Sequence, residues 1–160
     1  MATRRRSGTQ GTTTQGPWVQ VAAFCDQVVI DKTETLTLVR VIDQVTLIPP
    51  RRQAAPHRRW VGGFALALKA GDVYGAGEIV LVMMRPNGKR TTVGRISVAF
   101  DDAIRAVNIA QRVQLRFDEE GLHWLDVSYA GRLVTRMPLT VRYRPAPTPE
   151  QDRLSSASPQ

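Results

Sequence analysis

The sequence predicts an all-β fold, an antiparallel β-sandwich of about eight strands, with a partly closed β-barrel as the alternative closure. Three observations carry this. Apolar and polar residues alternate with a period of two through the clearest runs, turn-forming residues fall between them, and an apolar period of 3.6 is absent outside one short stretch. With 160 residues, 42% of them hydrophobic, the chain can bury one core. Residues 1–16 and 145–160 are too polar to offset their ordering entropy, so a disordered basic tail and a second disordered tail are expected around a domain at 17–144.

In chain order, residues 22–47, AAFCDQVVIDKTETLTLVRVIDQVTL, read as strand, turn, strand, turn, strand. Asp31-Lys32-Thr33-Glu34 forms the first turn, and Thr35–Val41 carries the β-branched residues that strands favour. Phe24 and Cys25 are expected in the core. The next apolar run is Trp60, Phe64, Leu66 and Leu68. The glycine stretches VGGF and AGDVYGAG lie in or just before strands, which predicts bulges or close backbone approach; without a following helix they cannot cradle a phosphate.

Glu78–Arg85 and Arg90–Phe100 are joined by Pro86-Asn87-Gly88, suited to a type I turn with a left-handed glycine. Asp101–Val107 is the one candidate helix, a turn or two capped by aspartate. Gln111–Phe117 and Leu122–Tyr129 pair across Asp118-Glu119-Glu120-Gly121, and Ala130-Gly131 leads into the last strand. There Leu133, Thr135, Met137, Leu139, Val141 and Tyr143 are expected to face the core, with Val134, Arg136, Pro138, Thr140, Arg142 and Arg144 on the wet face. Pro138 cannot donate to a ladder and is expected at an edge or bulge.

The opening stretch, together with the closing hairpin GLHWLDVSYAGRLVTRMPLTVRYRP, resembles a bacterial family of small all-β proteins of unknown function. The resemblance implies the fold and carries no activity. Where such sequences often place glycine in the first turn, this one has Lys32-Thr33-Glu34.

Several functions are disfavoured. No apolar run approaches the ~18 residues of a membrane span, and the Arg4-Arg5-Arg6 stretch lacks the apolar segment of an export signal. Cys25 is the only cysteine, so no internal disulfide forms and a cytoplasmic location is expected. Asp126-Val127-Ser128-Tyr129-Ala130-Gly131 resembles the D-x-S-x-x-G loop with which PilZ domains bind cyclic-di-GMP, and Arg112 and Arg116 supply an R-x-x-x-R. Only nine residues separate Arg116 from Asp126, all needed by a hairpin, so a surface Asp and Ser on a strand is the preferred reading. His57 and His123 are the only histidines, and His123 is expected as a half-exposed packing residue. No catalytic constellation, cofactor or metal site is predicted.

The net charge of +8 is concentrated in Arg4–Arg6 and in RRQAAPHRRW, residues 51–60. Arg51, Arg52, Arg58 and Arg59 are therefore candidate polyanion-binding residues, with Trp60 assigned to the core and not to base stacking. The expected function is a non-enzymatic binding or structural module that contacts another protein through loops or a sheet edge. The alternative is polyanion or single-stranded nucleic-acid binding through loop 51–59 and the N-terminal arginines.

Overall fold

Nine strands account for the period-two runs in a computed structural model of the chain, which describes residues 16–48 and 58–144. They are β1 (Trp18–Ile30), β2 (Leu36–Ile42), β3 (Gln44–Leu47), β4 (Arg58–Lys69), β5 (Gly75–Met84), β6 (Arg90–Phe100), β7 (Ala106–Phe117), β8 (Gly121–Tyr129) and β9 (Arg132–Tyr143). The expected tails, apart from Gly16, and Arg51, Arg52 and His57 lie outside the described residues.

The strands form two sheets in the orders β2-β1-β4-β7 and β3-β9-β8-β5-β6. Their inner faces enclose one core, in which Phe24, Phe64, Leu66 and Leu68 meet Ile79, Phe100, Val127, Leu139 and Val141. The architecture is the expected sandwich, with β5, β8 and β9 side by side as strands C, F and G are in immunoglobulin-type folds. One pairing departs from the antiparallel expectation. Asp43 alone separates β2 from β3, and at that corner the chain crosses from one sheet to the other, so β3 runs parallel to β9.

The predicted β1–β2, β5–β6 and β8–β9 hairpins are present, but the one expected across Asp118-Glu119-Glu120-Gly121 is not: β7 pairs with β4 in one sheet and β8 with β5 and β9 in the other, so that turn carries the chain between sheets. Asp31 Oδ1 accepts the backbone N–H groups of Thr33 and Thr35, at 2.8 and 2.9 Å. Gly88, at φ +82°, donates to the Arg85 carbonyl as the type I turn with a left-handed glycine requires. The helix expected at Asp101–Val107 does not form. Asp101 Oδ1 takes the N–H groups of Ala103 and Ile104 in a tight turn, and from Ala106 the chain pairs with β4, whose ladder outweighs a helix too short to nucleate.

Two details of β9 follow from register. A bulge inserts Val134 between the pairs Val127↔Thr135 and Ser128↔Leu133. Parity flips there, so Leu133, expected inside, is 51% exposed while Val134 packs against the core. Pro138 sits beyond the end of β3, which pairs only with Thr140–Tyr143. Thr140 donates toward the β3 side, so the N–H that Pro138 lacks would have pointed to an open edge, as expected.

The four-stranded sheet curls strongly. Phe64, Leu66 and Leu68 of β4 face the core, so Gly63, Ala65 and Ala67 face outward, yet these too are buried. The β1–β2 hairpin covers them by folding back over the sheet. A Cβ on Gly63 would stand 2.7 Å from Cys25 Sγ and 3.1 Å from Val28 N, and the hairpin tip reaches β7, where Asn108 Nδ2 donates to the Glu34 carbonyl at 2.8 Å. Only glycine leaves room for this crossing. Gly63→Ala is expected to destabilise the fold by about 1–3 kcal/mol, read as a lowered urea midpoint.

Candidate functional site

A sheet edge offers a row of unpaired backbone donors and acceptors, so the exposed edges are where this fold can take a partner. The edge strands differ. β2 is short and kinked at Arg40, whose φ is +52° and whose guanidinium is held by Asp26 at 2.5 Å. β3 has four residues, and β6 is broken by a bulge at Val93 between the pairs Leu81↔Gly94 and Val82↔Thr92. β7 is regular throughout: all twelve of its residues pair with β4, from Ala106↔Lys69 to Phe117↔Arg58, without a register shift. No strand pairs with its other side among the described residues. The hairpin tip flanks it near Asn108, leaving Gln111–Phe117 as the open portion.

Clefts adjoin this portion on both faces. On the outer face a cleft of about 410 Å³ lies under the arch of the β1–β2 hairpin, lined by Asp26, Gln27, Val61, Gly63, Ala110 and Arg112 among others. On the inner side a cleft of about 310 Å³ opens between the sheets, where β7 faces β6. Its walls include Met83, Thr91, Val93, Leu115, Arg116 and His123.

The electrostatics of the two faces differ. Arg59 and Arg116 are direct cross-strand partners on the outer face, with Arg112 further along the same face. None of the three has an ion-pair partner among the described residues. In the inner cleft Arg85 is held by Asp118 at 2.5 Å. His123 is 1% exposed, a correction to the half-exposed position expected, because the inward parity of β8 packs its ring edge-on against Phe117, with centroids 5.0 Å apart. Its Nδ1–H donates to the Gly121 carbonyl at 3.2 Å, leaving Nε2 as the unprotonated nitrogen. Burial is the main cause holding its pKa below the ordinary value, opposed by the hydrogen bond to Gly121 and by Glu119 and Asp118, with Arg85 adding to the depression.

The other residues singled out in the sequence are placed as follows. Arg58 turns inward, its guanidinium carbon 3.2 Å from the centroid of the Tyr143 ring, while Arg59 faces outward and is exposed. Trp60 packs inside, edge-on to Phe24 at 5.7 Å. Asp126 and Ser128 lie on the outer face of the five-stranded sheet, on the opposite side of the sandwich from Arg112 and Arg116, so these four residues form no common site. Asp126 is instead buried under Arg136 at 2.5 Å and Arg90 at 2.9 Å. Cys25 is fully buried, and burial, with Asp26 second, raises its thiol pKa above the ordinary value. Among the described residues, no three His, Cys, Asp or Glu side chains group to hold a metal ion, and no helix is long and apolar enough to cross a membrane.

The sequence reading named a sheet edge but missed β7 as the edge concerned. Its only local signal was the R-x-x-x-R of Arg112 and Arg116 on a strand free of Pro and Gly.

A family model described as a family of unknown function (DUF6941) matches residues 20–142. No curated protein matches the chain. Among solved structures, the chain is similar to a β-glucosidase from Listeria innocua in complex with glucose, with 13% identity over 63% of this chain and 15% of that one, at a TM-score of 0.46. It therefore spans a small part of that enzyme's length. The DNA glycosylase AlkC of Pseudomonas fluorescens, bound to DNA containing an abasic site analog, aligns at 12% identity over 62% of this chain and 27% of that one, with a TM-score of 0.39. An immunoglobulin-like protein from Pseudomonas aeruginosa aligns at 16% identity over 82% of this chain and all of that one, with a TM-score of 0.36.

The buried imidazole has a consequence for stability. Below its ordinary value of 6.5, the unfolded chain binds a proton that folded His123 resists, so the fold loses stability as pH falls from there toward the lowered folded value. His123→Leu is expected to remove this contribution, at most about 1.4 kcal/mol per pH unit, from the pH dependence of urea unfolding.

Proposed function

The chain belongs to the family of unknown function DUF6941, and within this all-β fold we propose that it is a non-enzymatic binding module that takes an extended segment of another protein onto the free edge of β7. One observation carries the reading: a regular strand, paired along one side only, with clefts adjoining its open portion on both faces. Backbone hydrogen bonds to an added strand supply affinity without regard to sequence, and clefts on alternate faces supply discrimination among its side chains. A cytoplasmic location is compatible with a single buried thiol that has no disulfide to form.

A second reading, polyanion binding, draws on a different observation. Arg59 stands directly opposite Arg116 on an exposed face, a like-charge pairing that costs stability unless something neutralises it. Arg58, by contrast, is stacked on Tyr143, and Arg51 and Arg52 lie outside the described residues. If this reading holds, fluorescent oligothymidylate binds at low salt, binding falls steeply as salt rises, and Arg59→Glu with Arg116→Glu abolishes it. Absence of binding at low salt removes it.

Strand addition is tested by selecting peptides from a random display library on the intact protein and mapping them by hydrogen exchange. Selected peptides are expected to slow exchange of alternate β7 amides within residues 111–117 by at least about tenfold. Protection that maps elsewhere, or a library that yields no binder, overturns the proposal.

A further inference from the structure

We infer that the segment accepted by β7 alternates carboxylate with apolar side chains, its carboxylates standing over Arg112 and Arg116 and one large apolar side chain entering the cleft between the sheets. This rests on the reading that β7 accepts a strand.

A strand added beside β7 continues the pleat, so its side chains alternate between the same two faces. On the outer face it meets Arg112, Gln114 and Arg116, with Arg59 behind Arg116 on β4. These three guanidinium groups have no carboxylate partner among the described residues. The carboxylate of the adjoining cleft, Asp26, is already engaged by Arg40 at 2.5 Å. The like charges of Arg59 and Arg116 leave this face without internal compensation, and an acidic residue opposite β7 supplies it.

The inner face has a different character. Met83, Val93 and Leu115 give the cleft apolar walls beside the polar Thr91, Gln114 and Arg116, and His123 adds no charge because burial favours its neutral form. Arg85 at its border is held by Asp118. A cleft of about 310 Å³ has room for one large aliphatic or aromatic side chain.

The same geometry argues against a second copy of this chain as the occupant. Two β7 strands paired antiparallel about a two-fold axis would set Arg112 and Arg116 of both copies along one face, adding repulsion where an acidic partner relieves it.

The test uses two blocked peptides of about eight residues, one alternating Glu with Val and Leu, the other identical with Lys in place of Glu. Binding to the full chain is read by fluorescence anisotropy, and position by hydrogen exchange. The Glu peptide is expected to bind at least about thirtyfold more tightly than the Lys peptide, and the double variant Arg112→Glu, Arg116→Glu to invert that preference. Val93→Trp, which fills the inner cleft from an exposed position, is expected to weaken the Glu peptide about tenfold. Should that variant not fold, a Glu peptide with Gly at its apolar positions makes the same comparison and is expected to lose as much.

Equal binding of the two peptides at β7, or a preference unchanged by the charge reversal, overturns the inference and leaves strand addition standing. No effect of filling the cleft or removing the apolar side chains overturns its apolar half. Failure of both the library-selected peptides and these two to protect β7 removes strand addition as well. Oligothymidylate that binds through Arg112 and Arg116 and is displaced by neither peptide makes the surface one for nucleic acid, which also overturns the inference.

Discussion

From Gly62 to Leu68, strand β4 has no face left for water, and much of the molecule follows from that. Its Phe64, Leu66 and Leu68 fill the space between the sheets, while Gly63, Ala65 and Ala67 on the other side are small enough for the β1–β2 hairpin to lie on them. A larger side chain there would hold the hairpin off, expose the outward apolar surface of β1 and β4, and leave Asn108 without the Glu34 carbonyl. The arch curls the four-stranded sheet, forms the roof of the outer cleft, and stops near Asn108, so the far half of β7 stays open. A choice of small residues in one central strand thereby decides which edge of the molecule is available.

Charge is distributed unevenly over the two sheets. On the five-stranded sheet and its loops, arginines find acids: Arg90 and Arg136 cover the buried Asp126, Arg95 meets Glu78 at 2.6 Å, and Arg85 meets Asp118. Asp126 is tolerated in a nearly dry position because two guanidinium groups satisfy it and themselves remain partly in water. Arg59, Arg112 and Arg116, on the outer face of β4 and β7, have no such partner among the described residues. A basic excess that looked, in the sequence, like a property of residues 51–59 also includes, on the face that Arg59 shares, Arg112 and Arg116 of β7.

Much of the fold was legible because alternation and turn chemistry are local. Asp31, Asn87-Gly88 and Ala130-Gly131 announced hairpins that the structure contains, and Phe24 and Trp60 were assignable to the core from their place in apolar runs. The errors arose where a non-local pairing overruled a local preference. Asp101 does cap a turn, but Ala106 and Val107 are claimed by β4 before a helix can propagate. Leu133 obeyed the alternation until a bulge opposite β8 reversed it, and no residue in β9 signals that bulge. Of the candidate site little was visible. A residue is at an edge because of the order in which strands assemble, and Arg112 in the sequence looks the same on a central strand as on an outer one.

Pro138 completes this picture from the other side of the molecule. It silences a backbone donor on the stretch of β9 that β3 is too short to cover, while Val93 and Arg40 distort β6 and β2. A body with two straight rims could recruit neighbours at both and grow into a filament. With one straight rim among the described residues, a strand taken up at β7 would meet no second such rim there from which a stack could propagate.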